Sequence, residues 1–269
     1  MIQATILTIA GSDPSGGAGI QADLKTMTSI GVYGAAAITC LTVQNSQGVR
    51  EIHPVSADLV YAQIKAVLDD HNVTHIKIGM TGTVEIVECL GRILHTFSGS
   101  IIYDPVLAAT SGASLLTEAG ISALNSSLLT RVTYLTPNGN ELELLSNKRI
   151  QSHEDAISSA HSLLDTYPTM KAVIIKGGHV NEAAKNISDF LVQQDGNVYE
   201  SRRERINNNN LHGTGCTYAS AFASYLCLAD DSISAFQQAG QYMDEIIRFG
   251  VDKRVIKSGS NGPLLHYFI

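Results

Sequence analysis

Positive charge is in short supply. Eighteen lysines and arginines stand against 25 aspartates and glutamates, a formal net charge of −7 at pH 7. That balance argues against nucleic acid or an anionic membrane as the main partner, while leaving room for a local phosphate pocket. Cysteine is scarce too. Cys40, Cys89, Cys216 and Cys227 lie far apart, with no C-x-x-C pair. Such spacing suits reduced thiols in a cytosolic protein rather than a disulfide framework or a zinc site. No apolar run reaches the ~18 residues a membrane span needs. The opening MIQATILTIAGSD lacks the basic start and the apolar length of a signal peptide. Linkers rich in proline or serine, and internal repeats, are missing as well; Asn207–Asn210 is the one low-complexity run. Without G-x-S-x-G there is no nucleophile elbow. GSDPSGGAG is neither a G-x-G-x-x-G fingerprint nor a Walker A loop, which would need G-K-[ST]. What is present is 269 residues, 44% hydrophobic and 16% charged, enough to bury a full core. The expectation is one cytoplasmic domain spanning residues 1–269.

Apolar runs alternate with amphipathic stretches along most of the chain. Ala4–Ala10 reads as a strand running into the glycine-rich turn, and Ile20, Leu24, Met27 and Ile30 then mark a helix face. Tyr33–Val43 is almost wholly apolar and predicts a strand buried on both faces. A helix over about Ser56–Asp70, with Ser56 as N-cap, carries Val60, Ile64, Val67 and Leu68 on one stripe. THIKIGM, SIIYDPVL, VTYLTPN and KAVIIKGG predict further strands. Val84–Phe97, Thr117–Leu129, Asn140–Leu145 and His153–Thr166 predict helices between them. QDGN between Ile187–Val192 and Val198–Ser201 signals a hairpin at the sheet edge. Helices running to about Leu228 and over Ser232–Val251 close the chain. Sustained alternation of this kind predicts a three-layer αβα sandwich around a mostly parallel sheet.

Ligands of such sheets bind beyond the carboxyl ends of the strands, and polar residues gather there. Gly11, Ser12 and Asp13 end the first strand, and Gln44 and Asn45 end the second. Gly79-Met80, Asp104-Pro105, Pro137-Asn138 with Glu141, and Lys176-Gly177-Gly178 follow at later ends. Asp23, one turn into the first helix, could face the same rim. A side-chain amide such as Gln44 suits a heterocycle edge with adjacent amino and ring-nitrogen groups, although strand-end turn chemistry explains it as well. Asn138 and Glu141, three apart, could hold water around Mg²⁺ with Asp104, or simply cap a short helix. Lys176 closing a buried strand needs a partner, and phosphate is the obvious one. His179 and His212 flank glycines and read as structural. In NNNLHGTGCTYASAFA, Gly213, Thr214 and Gly215 form a tight turn into a helix whose first amides and dipole suit a phosphate or developing anion. Cys216 at that positive end is expected to have a lowered thiol pKa.

Taken together these segments resemble a known family. LTIAGSDPSGGAGIQADLKT, Val43-Gln44-Asn45, IKIGM, DPV, TPNGNE, IIKGGH, HGTGCT and a GP-x-x-x-x-F ending at Gly262–Phe268 resemble the hydroxymethylpyrimidine and phosphomethylpyrimidine kinases of thiamine biosynthesis. These are members of the ribokinase-like superfamily. The resemblance implies ATP as co-substrate, Mg²⁺, and a homodimer. It implies phosphorylation of 4-amino-5-hydroxymethyl-2-methylpyrimidine and then of its monophosphate. By the same resemblance Gln44, Gly11, Asp23 and Met80 surround the pyrimidine, and Lys176, Asn138 and Glu141 serve ATP. Asp104 and Glu141 support the metal through water. Gly213, Thr214, Gly215 and Cys216 form the anion hole and catalytic position. The superfamily at large usually carries aspartate where Cys216 stands; cysteine is shared with this subgroup and some bacterial pyridoxal kinases. Pyridoxal or pyridoxine kinase, or a pyrimidine-binding protein without catalysis, are the alternatives.

Overall fold

A computed structural model describes residues 4–108, 115–177, 185–257 and 261–266. Gly178, His179 and Phe268, singled out above, lie outside them. Among the described residues nine strands form one sheet in the order β3-β2-β1-β4-β5-β6-β7-β8-β9. The central strands β1 (Thr5–Ser12), β2 (Tyr33–Asn45), β4 (Val73–Ile78), β5 (Ser100–Tyr103), β6 (Tyr134–Leu135) and β7 (Ala172–Ile175) run parallel. Antiparallel strands close both edges: β3 (Gly48–Pro54) on one side, β8 (Asn186–Gln193) and β9 (Val198–Glu204) on the other.

Alternation along the strands feeds two cores. Leu7, Ile9, Ile76, Ile78, Ile101, Tyr103, Val173 and Ile175 face α2 (Ala57–Asp70), α3 (Val84–Ile93), α4 (Glu118–Ala123), α5 (Gly139–Ser146) and α6 (His153–Thr166). Their neighbours Ile6, Ile102, Ala172 and Ile174 face α7 (Thr214–Ala229) and α8 (Ser232–Gly250), with Met27 of α1 (Gly19–Ile30). The three-layer αβα sandwich follows from that alternation, because a strand pointing apolar side chains both ways needs cover on both faces. Local sequence sets the helix starts. Ser56, Thr83 and Thr117 accept from Leu59, Ile86 and Gly120 amides, and Ser152 with Asp155 forms a capping box. Gly31, at φ 92°, stops α1 in the left-handed conformation. No helix among the described residues is long and apolar enough to cross a membrane.

Two expectations need correction. The run Tyr33–Val43 is not buried on both faces: Tyr33 is 56%, Leu41 51% and Val43 44% exposed, although Leu41 pairs with β1 on one side and β3 on the other. β2 also runs on beyond β1 to Asn45. There it pairs with β3, an edge strand that the sequence pattern did not reveal. The stretch Thr117–Leu129 is not one α-helix either. Its α-helical part ends at Ala123, and a π-helical turn (Leu124–Leu128) and a 3₁₀ turn (Leu129–Arg131) continue it.

His266 gives the fold a defined acid sensitivity. It is 4% exposed, with Nε2 2.9 Å from Thr217 Oγ1. Burial, aided by the Lys25 charge, lowers its pKa from 6.5 to about 4. The folded ring therefore stays neutral where the unfolded ring takes a proton. This contribution is intact above about pH 6.5 and is lost as pH falls toward 4, by up to about 3 kcal/mol. His266→Gln is expected to flatten the loss of stability between pH 7 and 4.5 in urea titrations. An unchanged slope would exclude His266 as its source.

Candidate active site

The carboxyl ends of β1, β2 and β4 form one floor. A Cβ on Gly11 would lie 2.8 Å from Cys40 Sγ and 3.5 Å from Met80 Sδ, so glycine is what the close packing there allows. Thr39 Oγ1 donates to the Met80 carbonyl at 2.7 Å and fixes that backbone. Gln44 follows a register shift between Val43 and Gln44 near the end of β2. Gly11, Gln44 and Met80 thus come from neighbouring strands at the same end of the sheet.

Asp23 does not join them. It is fully buried. Its carboxylate accepts from Thr8 Oγ1 at 2.6 Å, Ser220 Oγ at 2.8 Å, and Lys77 Nζ at 2.9 and 3.0 Å. Helical spacing placed Asp23 one turn into α1, but that turn faces β1, β4 and α7 rather than the rim. The expected ring contact is therefore replaced by a support beneath the site.

The next group sits at β5, β6 and β7. Asn138 and Glu141 form a reciprocal capping box: Glu141 N donates to Asn138 Oδ1 at 2.9 Å, and Asn138 N to Glu141 Oε2 at 2.7 Å. Lys176 Nζ lies 2.7 Å from Asp104 Oδ1 and 3.7 Å from Glu141 Oε2. The partner the buried strand demanded is thus a carboxylate. Burial raises the Glu141 pKa to about 7; Lys176 opposes this and Asp104 adds to it. Burial works against the Lys176 charge, but Asp104 and Glu141 outweigh it and hold the ammonium firmly protonated. Asp104 Oδ2 is buried with no hydrogen-bond partner among the described residues. That orphaned oxygen beside Glu141 fits a hard cation held partly through water. Two carboxylates are too few for an all-protein cage, which agrees with an ion that keeps waters and phosphate oxygens.

The third group starts α7. Gly213, at φ 86°, is its N-cap, and a Cβ there would lie 1.7 Å from the Gly17 carbonyl. The two glycine loops are therefore in contact. A Cβ on Gly215 would come 3.3 Å from Lys176 Nζ and 3.9 Å from Asp104 Oδ2, so the lysine stands directly over the helix start. Thr214 Oγ1 donates back to the Leu211 carbonyl. Cys216 contradicts its expected acidity. Burial pushes its thiol up to about 11; Lys77 lowers it, while Asp23 and Asp104 raise it further. The helix dipole is worth at most ~2 kcal/mol and loses to burial among carboxylates.

Asp13 was read at the strand-end rim without a partner, whereas His212 was read only as structural and Lys77 escaped the sequence reading as a site-building group. A lysine inside the apolar run IKIGM was the available signal for Lys77.

An αβα sandwich with two touching glycine loops and a lysine over the start of α7 agrees with a ribokinase-like kinase fold. Residues 13–263 match the family model for phosphomethylpyrimidine kinase. The chain is 39% identical over 264 residues to a hydroxymethylpyrimidine/phosphomethylpyrimidine kinase of Haemophilus influenzae, covering 97% of this chain and 96% of that one. Among solved structures, phosphomethylpyrimidine kinase from Clostridium difficile superposes with a TM-score of 0.78 at 33% identity, over 90% and 99% of the two chains. Pyridoxal kinase from Staphylococcus aureus in complex with ADP gives a TM-score of 0.86 at 28% identity, over 99% and 94%. The chain belongs to the phosphomethylpyrimidine kinase family.

Lys77 and Asp23 are both fully buried. Lys77→Met alone strands a carboxylate and is expected to cost about 3–5 kcal/mol, whereas Lys77→Met with Asp23→Leu recovers most of it. Denaturant unfolding of both variants checks this; equal losses would show that the pair is not the unit of stability.

Proposed function

We propose that the chain phosphorylates the 5-hydroxymethyl group of 4-amino-5-hydroxymethyl-2-methylpyrimidine with ATP, and then phosphorylates the monophosphate, as a kinase of thiamine biosynthesis. The observation that carries this reading is the convergence of Lys176 and Asp104 on the start of α7. Beside it lies the floor of Gly11 and Met80, with Gln44 on the adjoining strand.

The roles follow from the positions. The γ-phosphoryl group lies on the Gly213–Cys216 amides, where the helix dipole favours its charge. Lys176 reaches its oxygens from above. Bound Mg²⁺ would neutralise phosphate charge, with Asp104 Oδ2 and Glu141 as its protein-side supports. Gln44 pairs with the ring edge, and Gly11 and Met80 pack against its faces. The acceptor oxygen then forms a bond to phosphorus as the bond to the ADP oxygen breaks. Phosphoryl transfer is loose, so the hydroxyl keeps its proton until late and then gives it to an oxygen of the transferred phosphoryl group, from which it passes to solvent; most of the rate comes from positioning and charge neutralisation. A thiol near pKa 11 is neutral at pH 7. Cys216 therefore orients the hydroxyl through a hydrogen bond to sulfur rather than serving as a standing base.

Two measurements test the reading. Mg·ATP turnover with the hydroxymethylpyrimidine should yield mono- and then diphosphate, with pyridoxine much poorer; preference for pyridoxine would move the substrate to the pyridoxal kinase class. Cys216→Ala should lower kcat about ten- to hundredfold with little change in the ATP KM. A loss beyond about 10³-fold would restore the general-base role, whose range is ~10²–10⁴.

A further inference from the structure

We infer that Asp189, braced by Arg203, is a positioning residue for the phosphoryl transfer: it fixes the backbone directly after Lys176 and thereby sets how far the lysine ammonium reaches over the start of α7. The inference rests on the reading of Lys176 as the lysine that contacts the transferred phosphate.

The ladder between β7 and β8 ends at the pair Ile175 with Phe190. Beyond it, the two residues that carry the chain into the site are held differently. Lys176 N donates to the Pro137 carbonyl at 2.9 Å, on the β6 side. Gly177 N donates to a side chain instead, Asp189 Oδ1 at 2.9 Å. A Cβ on Gly177 would lie 1.8 Å from the Ser188 carbonyl oxygen, so only glycine allows the backbone this close to β8. Asp189 is 2% exposed, and its other oxygen accepts from Arg203 Nη2. Ser201 is the partner of Asp189 across the β8–β9 ladder, and Arg203, two residues on, shares its face of the sheet. Arg203 Nη1 reaches α8, donating to Asp244 Oδ1 at 2.9 Å and to the Gly240 carbonyl at 3.4 Å. A strut of charged groups therefore runs from α8 across two strands to the residue after Lys176.

Lys176 carries its charge on a flexible four-carbon stem. Its tip lies 2.7 Å from Asp104 Oδ1 and 3.7 Å from Glu141 Oε2, but an ammonium that turns to a phosphate must share those partners. From then on the position of its own backbone decides its reach. A misplacement of about 1 Å at such a group costs roughly a hundredfold in rate. Asp189 has no part in the proposed contacts to phosphate or pyrimidine; it acts through Lys176.

Asp189→Asn keeps the side chain's shape and leaves one acceptor oxygen for two donors. The guanidinium takes it, because charge-assisted hydrogen bonds are about twice as strong as neutral ones. The NH₂ group then faces the Gly177 N–H, donor against donor. kcat/KM for ATP is expected to fall about ten- to hundredfold, with the KM for the hydroxymethylpyrimidine little changed. Adding Arg203→Met frees the oxygen for Gly177 and should recover most of the loss, although it deletes a second buried interaction. A merely structural role predicts a further loss instead. Wild-type kcat/KM in folded Asp189→Asn, or a double variant no better than the single one, overturns the inference. If Asp189→Asn does not fold, Asp189→Asn/Arg203→Met is compared with Asp189→Leu/Arg203→Met, which has no acceptor at 189. The first should exceed the second about tenfold in kcat/KM for ATP, and equality overturns the inference. Lys176→Ala is the separate check. If it leaves kcat/KM for ATP intact, the parent reading of Lys176 falls. If it lowers that value, Asp189→Asn should cost nothing further in the Lys176→Ala background, and additive losses overturn the action through Lys176.

Discussion

A lysine and an aspartate with no exposed surface stand at the centre of this molecule. Lys77 and Asp23 sit between the sheet and the α1–α7 layer, and Thr8 and Ser220 complete the carboxylate's partners. These four residues belong to β4, α1, β1 and α7, so one buried cluster joins two parallel strands to two helices. Each helix begins at a glycine loop that builds the site, GSDPSGGAG before α1 and HGTGC before α7. Burying two charges is costly, and an apolar replacement of similar volume is often as stable. What the pair provides is a fixed relation between the two helices that sliding apolar packing would not enforce. Contact of Gly213 with the Gly17 carbonyl and of His212 with Asp13 depends on that relation.

Charge balance explains the chemistry chosen at position 216. Asp23, Asp104 and Glu141 face Lys77 and Lys176, and the two lysines are already engaged in ion pairs. A carboxylate at 216, where the wider superfamily usually has aspartate, would add another anion to a buried cluster whose two lysines among the described residues are already paired. A thiol avoids that. It stays neutral for the same reason that its expected acidity fails: burial and two nearby carboxylates outweigh the helix end and Lys77. On the proposed reading, the unpaired positive potential of the α7 amides is thereby left for phosphate.

The strand-end polar residues were legible because a parallel sheet forces its ligand site to one edge, and because lysine or aspartate next to a buried strand is conspicuous. Asn138 and Glu141 show the limit of such reading. Their spacing announced both a helix cap and a phosphate-side acid, and the capping box occupies the very oxygen, Glu141 Oε2, that also faces Lys176. Strand β3 was hidden since Gly48–Pro54 is half-exposed and polar, with Val49 and Ile52 too few to set a period. β2 was misread because apolar composition does not say whether a face is covered: Tyr33, Leu41 and Val43 are exposed on a strand second from the sheet edge. Asp23 was misplaced because helical spacing gives a face without saying what that face meets. The partners that decide it, Lys77 and Ser220, lie 54 and 197 residues away.

Distance along the chain also separates the groups that recognise the acceptor from those that hold the phosphate. Asp13 lies 199 residues from His212 yet touches it. Any shift of the first glycine loop is therefore felt at both the ring floor and the start of α7. For a kinase that must turn over two successive acceptors, a free hydroxymethyl and then its phosphate, this sharing has a consequence. The ring cannot keep one rigid position for both, since the second acceptor oxygen projects farther from the ring than the first. On the proposed roles of Gly11 and Met80, adjustment comes from the pyrimidine moving over them, because Ser220 ties α7 to the Lys77–Asp23 pair. A floor made of a glycine and a methionine suits that sliding: the glycine presents no side chain, and the thioether is flexible and polarizable.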